Sequence, residues 1–195
     1  MSEKEKLGPL GKRLEAKVIT DFLSDPDRCA GYISGLLTEQ KNNFGLNLGW
    51  DNGLHERKEP EFVPSPILVH HVEAANPEYY QELKHDINLK LQGEEGVDDL
   101  EVNNMIFHVM TDNAWINWHC DETEKRQGAI TIYLNHHWGL DKGGEFLYNI
   151  DNEVERVTPT FNTGMFIRGG VQHRTTPVHG HNLRKSLQVW LREKG

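Results

Sequence analysis

The sequence predicts an α+β protein in which short strands of the second half build a sandwich or jelly roll and helices of the first half buttress one of its sheets. Two observations carry this. Before residue 100, apolar residues recur in two stretches at the i, i+3, i+4 spacing of an amphipathic helix. After residue 100 the pattern changes to about eight short β-type runs separated by Gly, Asn and Asp turns, the grammar of a two-sheet antiparallel architecture. A chain of 195 residues is long enough to bury a real core and is expected to form one domain.

The elements follow in order. Asp25-Pro26-Asp27 offers a helix start, and Ile33, Leu36 and Leu37 give the apolar stripe of a helix over 28–40. A second helix is expected over 77–91, where Tyr80, Leu83, Ile87 and Leu91 share a face and Gly93 ends the run. Between them, 42–66 is rich in Gly, Asn, Pro and charge and reads as a loop with one strand near 44–48; a segment this long is either a lid or a plain connection. The acidic stretch 94–101 reads as a solvated connection. Strands are expected at 102–110, 116–120, 129–135, 145–150, 153–157, 165–168, 172–178 and 185–191. The single domain thus divides into helical support and loops at 1–99 and a β core at 100–195.

Composition narrows the classes of function. Hydrophobic residues make up 36% of the chain and the mean hydropathy is −0.66. No apolar run approaches the roughly 18 residues of a membrane span, and Met1-Ser2-Glu3-Lys4-Glu5-Lys6 has no apolar stretch behind it. A cytoplasmic protein without membrane partners is expected. The net charge of −9 argues against a sequence-independent grip on nucleic acid. Two cysteines make no disulfide framework and no Cys-x-x-Cys pair. Cys120 is expected to pack on the opposite strand face from its neighbours.

Those neighbours carry the chemistry. His119 and Asp121 flank Cys120, His173 follows His119 by 54 residues, and Arg184 lies 11 further on. On a strand, residues two apart face the same way, so His119 and Asp121 suit adjacent positions on a metal. With His173 they have the types of a two-histidine, one-carboxylate triad, which leaves open positions on Fe(II) for oxygen chemistry. Arg184 offers a planar fork for a carboxylate. A His-x-Asp pair alone also fits a surface pair or a hydrogen-bonded dyad. The pairs His70-His71 and His136-His137 have members on opposite strand faces, and His179-Gly180-His181 falls in a turn. Arg168 and Arg174 compete with Arg184 for the carboxylate.

The C-terminal half, about 100 to 192, resembles the catalytic core of the Fe(II)- and 2-oxoglutarate-dependent oxygenases, specifically the prolyl 4-hydroxylase-like branch. The matching motifs are His119-Cys120-Asp121, Ile132-Tyr133-Leu134-Asn135 with Trp138, Gly143-Gly144-Glu145-Phe146, Val157-Thr158-Pro159, Gly164-Met165-Phe166, His173 with Pro177-Val178, and Arg184-Lys185-Ser186-Leu187. The resemblance implies a double-stranded β-helix (jelly-roll) core. It makes His119, Asp121 and His173 the metal ligands and Arg184, which opens the last strand, the partner of the distal carboxylate of 2-oxoglutarate. Tyr133 matches a position that assists that arginine, and Thr131 shares its strand face. Arg184, Ser186, Gln188 and Trp190 share one face, which sets Trp190 over the site or in ordinary core packing. Where the family commonly has a tyrosine near the keto-acid end, this chain has His108, with Met110 and Trp115 close by; Trp115 is a second candidate for the substrate pocket.

The resemblance implies a hydroxylase of an amino acid, a peptidyl proline or a similar small substrate. It would use Fe(II), 2-oxoglutarate and O2, with ascorbate as a reductant, and release succinate and CO2. Because Asp121 retains the carboxylate that related halogenases lack, hydroxylation is favoured over halogenation. The rival reading is a cupin-like protein that binds a metal or small ligand without turnover. The sequence leaves the oligomeric state open.

Overall fold

Helix α1 (Pro26–Thr38) begins where the Asp25 side chain accepts a hydrogen bond from the Arg28 amide (3.0 Å), with Pro26 pre-set in the first turn. The computed structural model describes residues 14–39, 43–47, 67–121 and 126–195. A short helix α2 (Val72–Ala75) leads into α3 (Pro77–Gln92), capped by the Asn76 side chain accepting from the Tyr79 amide and stopped at Gly93. Tyr80, Leu83, Ile87 and Leu91 are its buried stripe, as their spacing predicts.

Eleven strands are described. They are β1 (Ala16–Ile19), β2 (Gly45–Asn47), β3 (Ile67–His70), β4 (Leu100–Met110), β5 (Ile116–His119), β6 (Gly128–Tyr133), β7 (Phe146–Ile150), β8 (Glu153–Val157), β9 (Gly164–Arg168), β10 (Gln172–Thr175) and β11 (Arg184–Glu193). A large sheet runs β1-β9-β6-β11-β4-β3-β2, and a small one β5-β10-β7-β8, all neighbours antiparallel.

The eight strands expected after residue 100 are all present, with no end shifted by more than three residues. The first half departs from a purely helical support. β1 forms one edge of the large sheet, and β2 with β3 forms the other. Both β1 and β3 are only four residues long, too short for a period-2 pattern to stand out. The strand near 44–48 exists as β2 on β3; the rest of 42–66, with the lid expectation, lies outside the described residues apart from Asn43 and Phe44.

The two faces of the large sheet differ. Phe107, Val109, Leu187, Val189, Ile130, Ile132 and Phe166 pack against α1 and α3 in one apolar core. Burying this layer is the dominant favourable term in folding. The opposite face looks toward the small sheet, and the cavity between them holds the polar residues discussed next. Among the described residues no helix is long and apolar enough to cross a membrane.

Candidate metal centre and carboxylate pocket

His119 at the end of β5 pairs directly with His173 of β10, so the two rings leave the small sheet on the same side, with centroids 4.2 Å apart. Asp121 lies just past β5, and its Oδ2 is 3.6 Å from His173 Nε2. One ligand atom from each of the three falls within 4.8 Å of the others, the single such cluster among the described residues. Each histidine Nδ1–H donates to the carbonyl two residues back, His119 to Asn117 (2.8 Å) and His173 to Val171 (3.0 Å). A carbonyl can only accept, so Nδ1 carries a proton in each ring and Nε2 is the nitrogen left to face a metal. Two such nitrogens beside a carboxylate repel one another unless a proton or a cation lies between them. The donor set therefore fits a divalent metal with nitrogen and oxygen preference. Burial works to raise the Asp121 pKa, but His173, His119 and Arg126 outweigh it and hold the carboxyl below its ordinary value. Phe146 stacks on the His173 ring at 5.2 Å and fixes its plane.

The facing wall belongs to the large sheet. Register pairs Arg184 with Met110, Ser186 with both His108 and Tyr133, and Gln188 with both Ile106 and Thr131. Directly paired residues share a face, so these side chains form rows across three strands. Arg184 is 2% exposed and donates from Nη1 to Met110 Sδ (3.2 Å), while its guanidinium carbon lies 5.0 Å from the Tyr133 ring centroid. The Tyr133 hydroxyl is close enough to interact with the guanidinium without reaching hydrogen-bond geometry. Arg184 Nε and Nη2, Tyr133 Oη and Ser186 Oγ are all buried with no hydrogen-bond partner among the described residues. Burial pushes the Tyr133 hydroxyl up, with Arg184 opposing, and pulls the Arg184 pKa down, with Tyr133 opposing. Buried donors are normally satisfied; this cluster matches the acceptor geometry of a carboxylate, which takes a bidentate guanidinium and further O–H donors.

His108, opposite Ser186 in the ladder, lines the same cavity and feels the charges of both Arg184 and Asp121, and its Nε2 is also buried without a hydrogen-bond partner among the described residues. Burial, then the charge of Arg184, pushes its pKa down to about 4, so the imidazole is neutral. Thr131 lines the cavity but its hydroxyl donates to Gln188 Oε1 (2.8 Å). Trp190 lines the far end.

The neighbouring motifs explain how this wall is held. Gly143 and Gly144 have φ of +63° and +67°, a region that favours glycine. A Cβ on Gly144 would lie 2.7 Å from Arg184 Cδ, and one on Gly143 would strike the Pro177 carbonyl. Trp138 Nε1 donates to the Gly143 carbonyl (2.8 Å), and the Gly144 amide to Pro177 (3.0 Å). Asn135 clamps the start of β11: its Oδ1 accepts from the Lys185 amide (2.7 Å) and its Nδ2 donates to Leu183 (2.8 Å).

Trp115 directly precedes β5, whose first residue, Ile116, lines the cavity. One expectation is corrected. Cys120 is exposed rather than packed, because β5 ends at His119 and strand alternation stops there. Ile116, Phe146, Thr175 and Gln188 line the cavity and were missed as site residues. Thr175 is two residues from His173, the same signal that links His119 to Asp121. The remaining candidates have structural partners. His70 is held by the Asn43 carbonyl and the Tyr32 hydroxyl, His136 stacks on Phe161, and His181 meets Asp112. Arg168 ties down the carbonyls of Leu14 and Gly96, and Arg174 lies over Trp118.

Residues 105–192 match the family model described as 2OG-Fe(II) oxygenase superfamily. No curated protein matches the chain by sequence. Solved structures with a similar fold include a prolyl-4-hydroxylase of Pseudomonas putida, at 16% identity and TM-score 0.61, covering 93% of this chain and 94% of that one. A prolyl hydroxylase of Trichoplax adhaerens, in complex with a hypoxia inducible factor oxygen degradation domain peptide fragment, has 15% identity and TM-score 0.65 over 92% and 84%. HygX of Streptomyces hygroscopicus, with nickel and 2-oxoglutarate bound, has 10% identity and TM-score 0.61 over 93% and 84%. At these identities the likeness is one of fold, the double-stranded β-helix.

Proposed function

We propose that this chain, whose residues 105–192 match the 2OG-Fe(II) oxygenase superfamily, hydroxylates an unactivated C–H bond of a compact substrate: an amino acid, a peptidyl proline or a similar small molecule. His119, Asp121 and His173 hold Fe(II); Arg184, with Tyr133 and Ser186, binds the distal carboxylate of 2-oxoglutarate. The observation that carries the reading is the cluster of four buried, unpartnered polar atoms on Arg184, Tyr133 and Ser186, across the cavity from the His/Asp/His set. A cupin-like binding protein would account for the metal set but not for that second cluster.

Bound iron and 2-oxoglutarate supply the oxidising chemistry, in which one atom of O2 goes to the substrate and one to succinate, with loss of CO2. The chain supplies position. The carbonyls of Asn117 and Val171 hold Nδ1 of each imidazole, so both rings turn Nε2 toward the metal position without reorienting. Asp121, held ionised by its neighbours, contributes one negative charge. Arg184 sets the cosubstrate's far end, and its fork admits a carboxylate in one plane. His108, neutral and lining the same cavity as that anchor and the metal ligands, donates or accepts one hydrogen bond to the cosubstrate without adding charge. Phe146, Ile116 and Ile167 keep water out. Residues 1–195 act as one oxygenase domain, with 1–99 contributing helices and sheet edges to the 100–195 core.

The test is succinate release from 2-oxoglutarate with Fe(II) and ascorbate, beside 2-oxoglutarate binding to the Mn(II) form. Turnover without added substrate, or stimulated by an amino acid or prolyl peptide, is the expected result. No turnover together with no 2-oxoglutarate binding defeats the proposal.

A further inference from the structure

Trp190 carries a buried indole N–H on the cavity wall that has no hydrogen-bond partner among the described residues. It lies six residues along β11 from Arg184 on the same face, roughly 20 Å of strand. A five-carbon diacid anchored on Arg184 does not reach it. The donor therefore faces the part of the cavity left for substrate.

Beside it stands a cation. Arg126 lies just before β6, with its guanidinium carbon 4.6 Å from the centroid of the Trp190 ring, a cation–π contact that holds the charge beside the indole. Among the described residues no carboxylate forms an ion pair with Arg126. Among the described residues Asp121 is the one carboxylate lining the cavity, and it belongs to the metal set. Arg184 lines the cavity as the cosubstrate anchor, whereas Arg126 lies behind that lining, against the Trp190 ring and close enough to Asp121 to act on its charge.

We infer that Trp190 and Arg126 form a carboxylate-recognition element that selects substrates bearing an anionic group near the bond to be oxidised. This rests on the oxygenase reading and names the substrate class within it. A neutral N–H next to a fixed guanidinium gives a carboxylate two directional contacts, one of them charge-assisted. The same charge repels an ammonium, so lysine-like side chains are disfavoured there. The carboxylate comes either from the α-carboxyl of a free amino acid or from an Asp or Glu side chain of a peptide.

The experiment uses Zn(II)-loaded protein with saturating 2-oxoglutarate and 15N-labelled tryptophan, the Trp190 indole resonance being identified by its loss in Trp190→Phe. Three sets of probes are titrated: free L-amino acids, their carboxamides, and N-acetyl Asp and Glu N-methylamides. At least one carboxylate is expected to move the Trp190 resonance, with its matched uncharged amide binding about tenfold or more weakly. Response to the free acids assigns the α-carboxyl, and response to the capped residues assigns an acidic side chain. Arg126→Gln should weaken that carboxylate about tenfold or more and Arg126→Lys should recover part of the loss, while 2-oxoglutarate affinity stays within about twofold. Equal binding of acid and amide, no effect of Arg126→Gln, or no probe that moves the Trp190 resonance overturns the inference. Failure of the Zn(II) protein to bind 2-oxoglutarate is a separate result and overturns the oxygenase reading with it.

Discussion

Replacing His108 with glutamine removes a base that the fold keeps uncharged, and this changes how stability depends on pH. His108 is 4% exposed, and burial first, then the charge of Arg184, pushes its pKa down to about 4. In the unfolded chain an imidazole titrates near 6.5. As pH falls from about 6.5, the unfolded state takes up this proton before the folded state does, so folding loses free energy until about pH 4, below which both states are protonated. A displacement from 6.5 to about 4 amounts to about 3 kcal/mol across that window. Urea unfolding of metal-free wild type and His108→Gln, at steps between about pH 7 and 4, reads the difference; the other histidines are common to both proteins and cancel. The wild type should lose about 3 kcal/mol more than the variant as pH falls. Parallel profiles would refute the reasoning, since they would mean that neither burial nor Arg184 restrains the imidazole.

Three further outcomes bear on the same wall. Arg184→Ala should weaken 2-oxoglutarate binding about 100-fold or more while metal affinity holds, measured by calorimetry on the Mn(II) form; equal loss of both would signal a folding defect. Gly144→Ala puts a Cβ 2.7 Å from Arg184 Cδ at a φ of +67°, so it should cost about 1–3 kcal/mol in unfolding free energy and weaken 2-oxoglutarate binding as well. Unchanged binding would show that Arg184 keeps its place without the glycine. Cys120 is exposed, whereas the Cys29 thiol is buried and pushed up to about 12. A thiol reagent should therefore titrate one cysteine in the native protein and both after denaturation, and two reactive thiols under native conditions would contradict the packing of α1.

Much of the catalytic half was legible because its signals are local. His119 and Asp121 announce a shared strand face by their spacing, Arg184 opens the last strand, and the stripe of α3 follows from four residues at helical spacing. What was missed depends on pairing between distant segments. β3 carries Ile67, Leu68 and Val69 without alternation, and only its ladder with β4 makes it a strand of the large sheet. Thr175 and Phe146 reach the cavity because β10 lies between β5 and β7, a neighbour order that no window of sequence contains. Cys120 was misread for the opposite reason: a local rule was carried one residue past the end of its strand.

The alternation of β11 holds a further lesson about pattern. Leu187, Val189 and Leu191 are apolar and Arg184, Ser186 and Gln188 polar, which by binary pattern reads as a strand with one dry face and one facing water. The dry face is correct: it packs on the helices. The polar face is covered as well, with Arg184 and Ser186 buried. A period-2 pattern records that polar groups lie together but not whether solvent or a ligand satisfies them. Unpartnered buried donors cost about 1–3 kcal/mol each, so evolution retains such a face only where something binds it. The metal-loaded protein should accordingly melt at a higher temperature with 2-oxoglutarate than without, by an amount set by its concentration relative to Kd. In Arg184→Ala the gain should fall to that of a site about 100-fold weaker. An undiminished 2-oxoglutarate-dependent rise in Arg184→Ala would mean that the polar face of β11 is satisfied by something other than the cosubstrate.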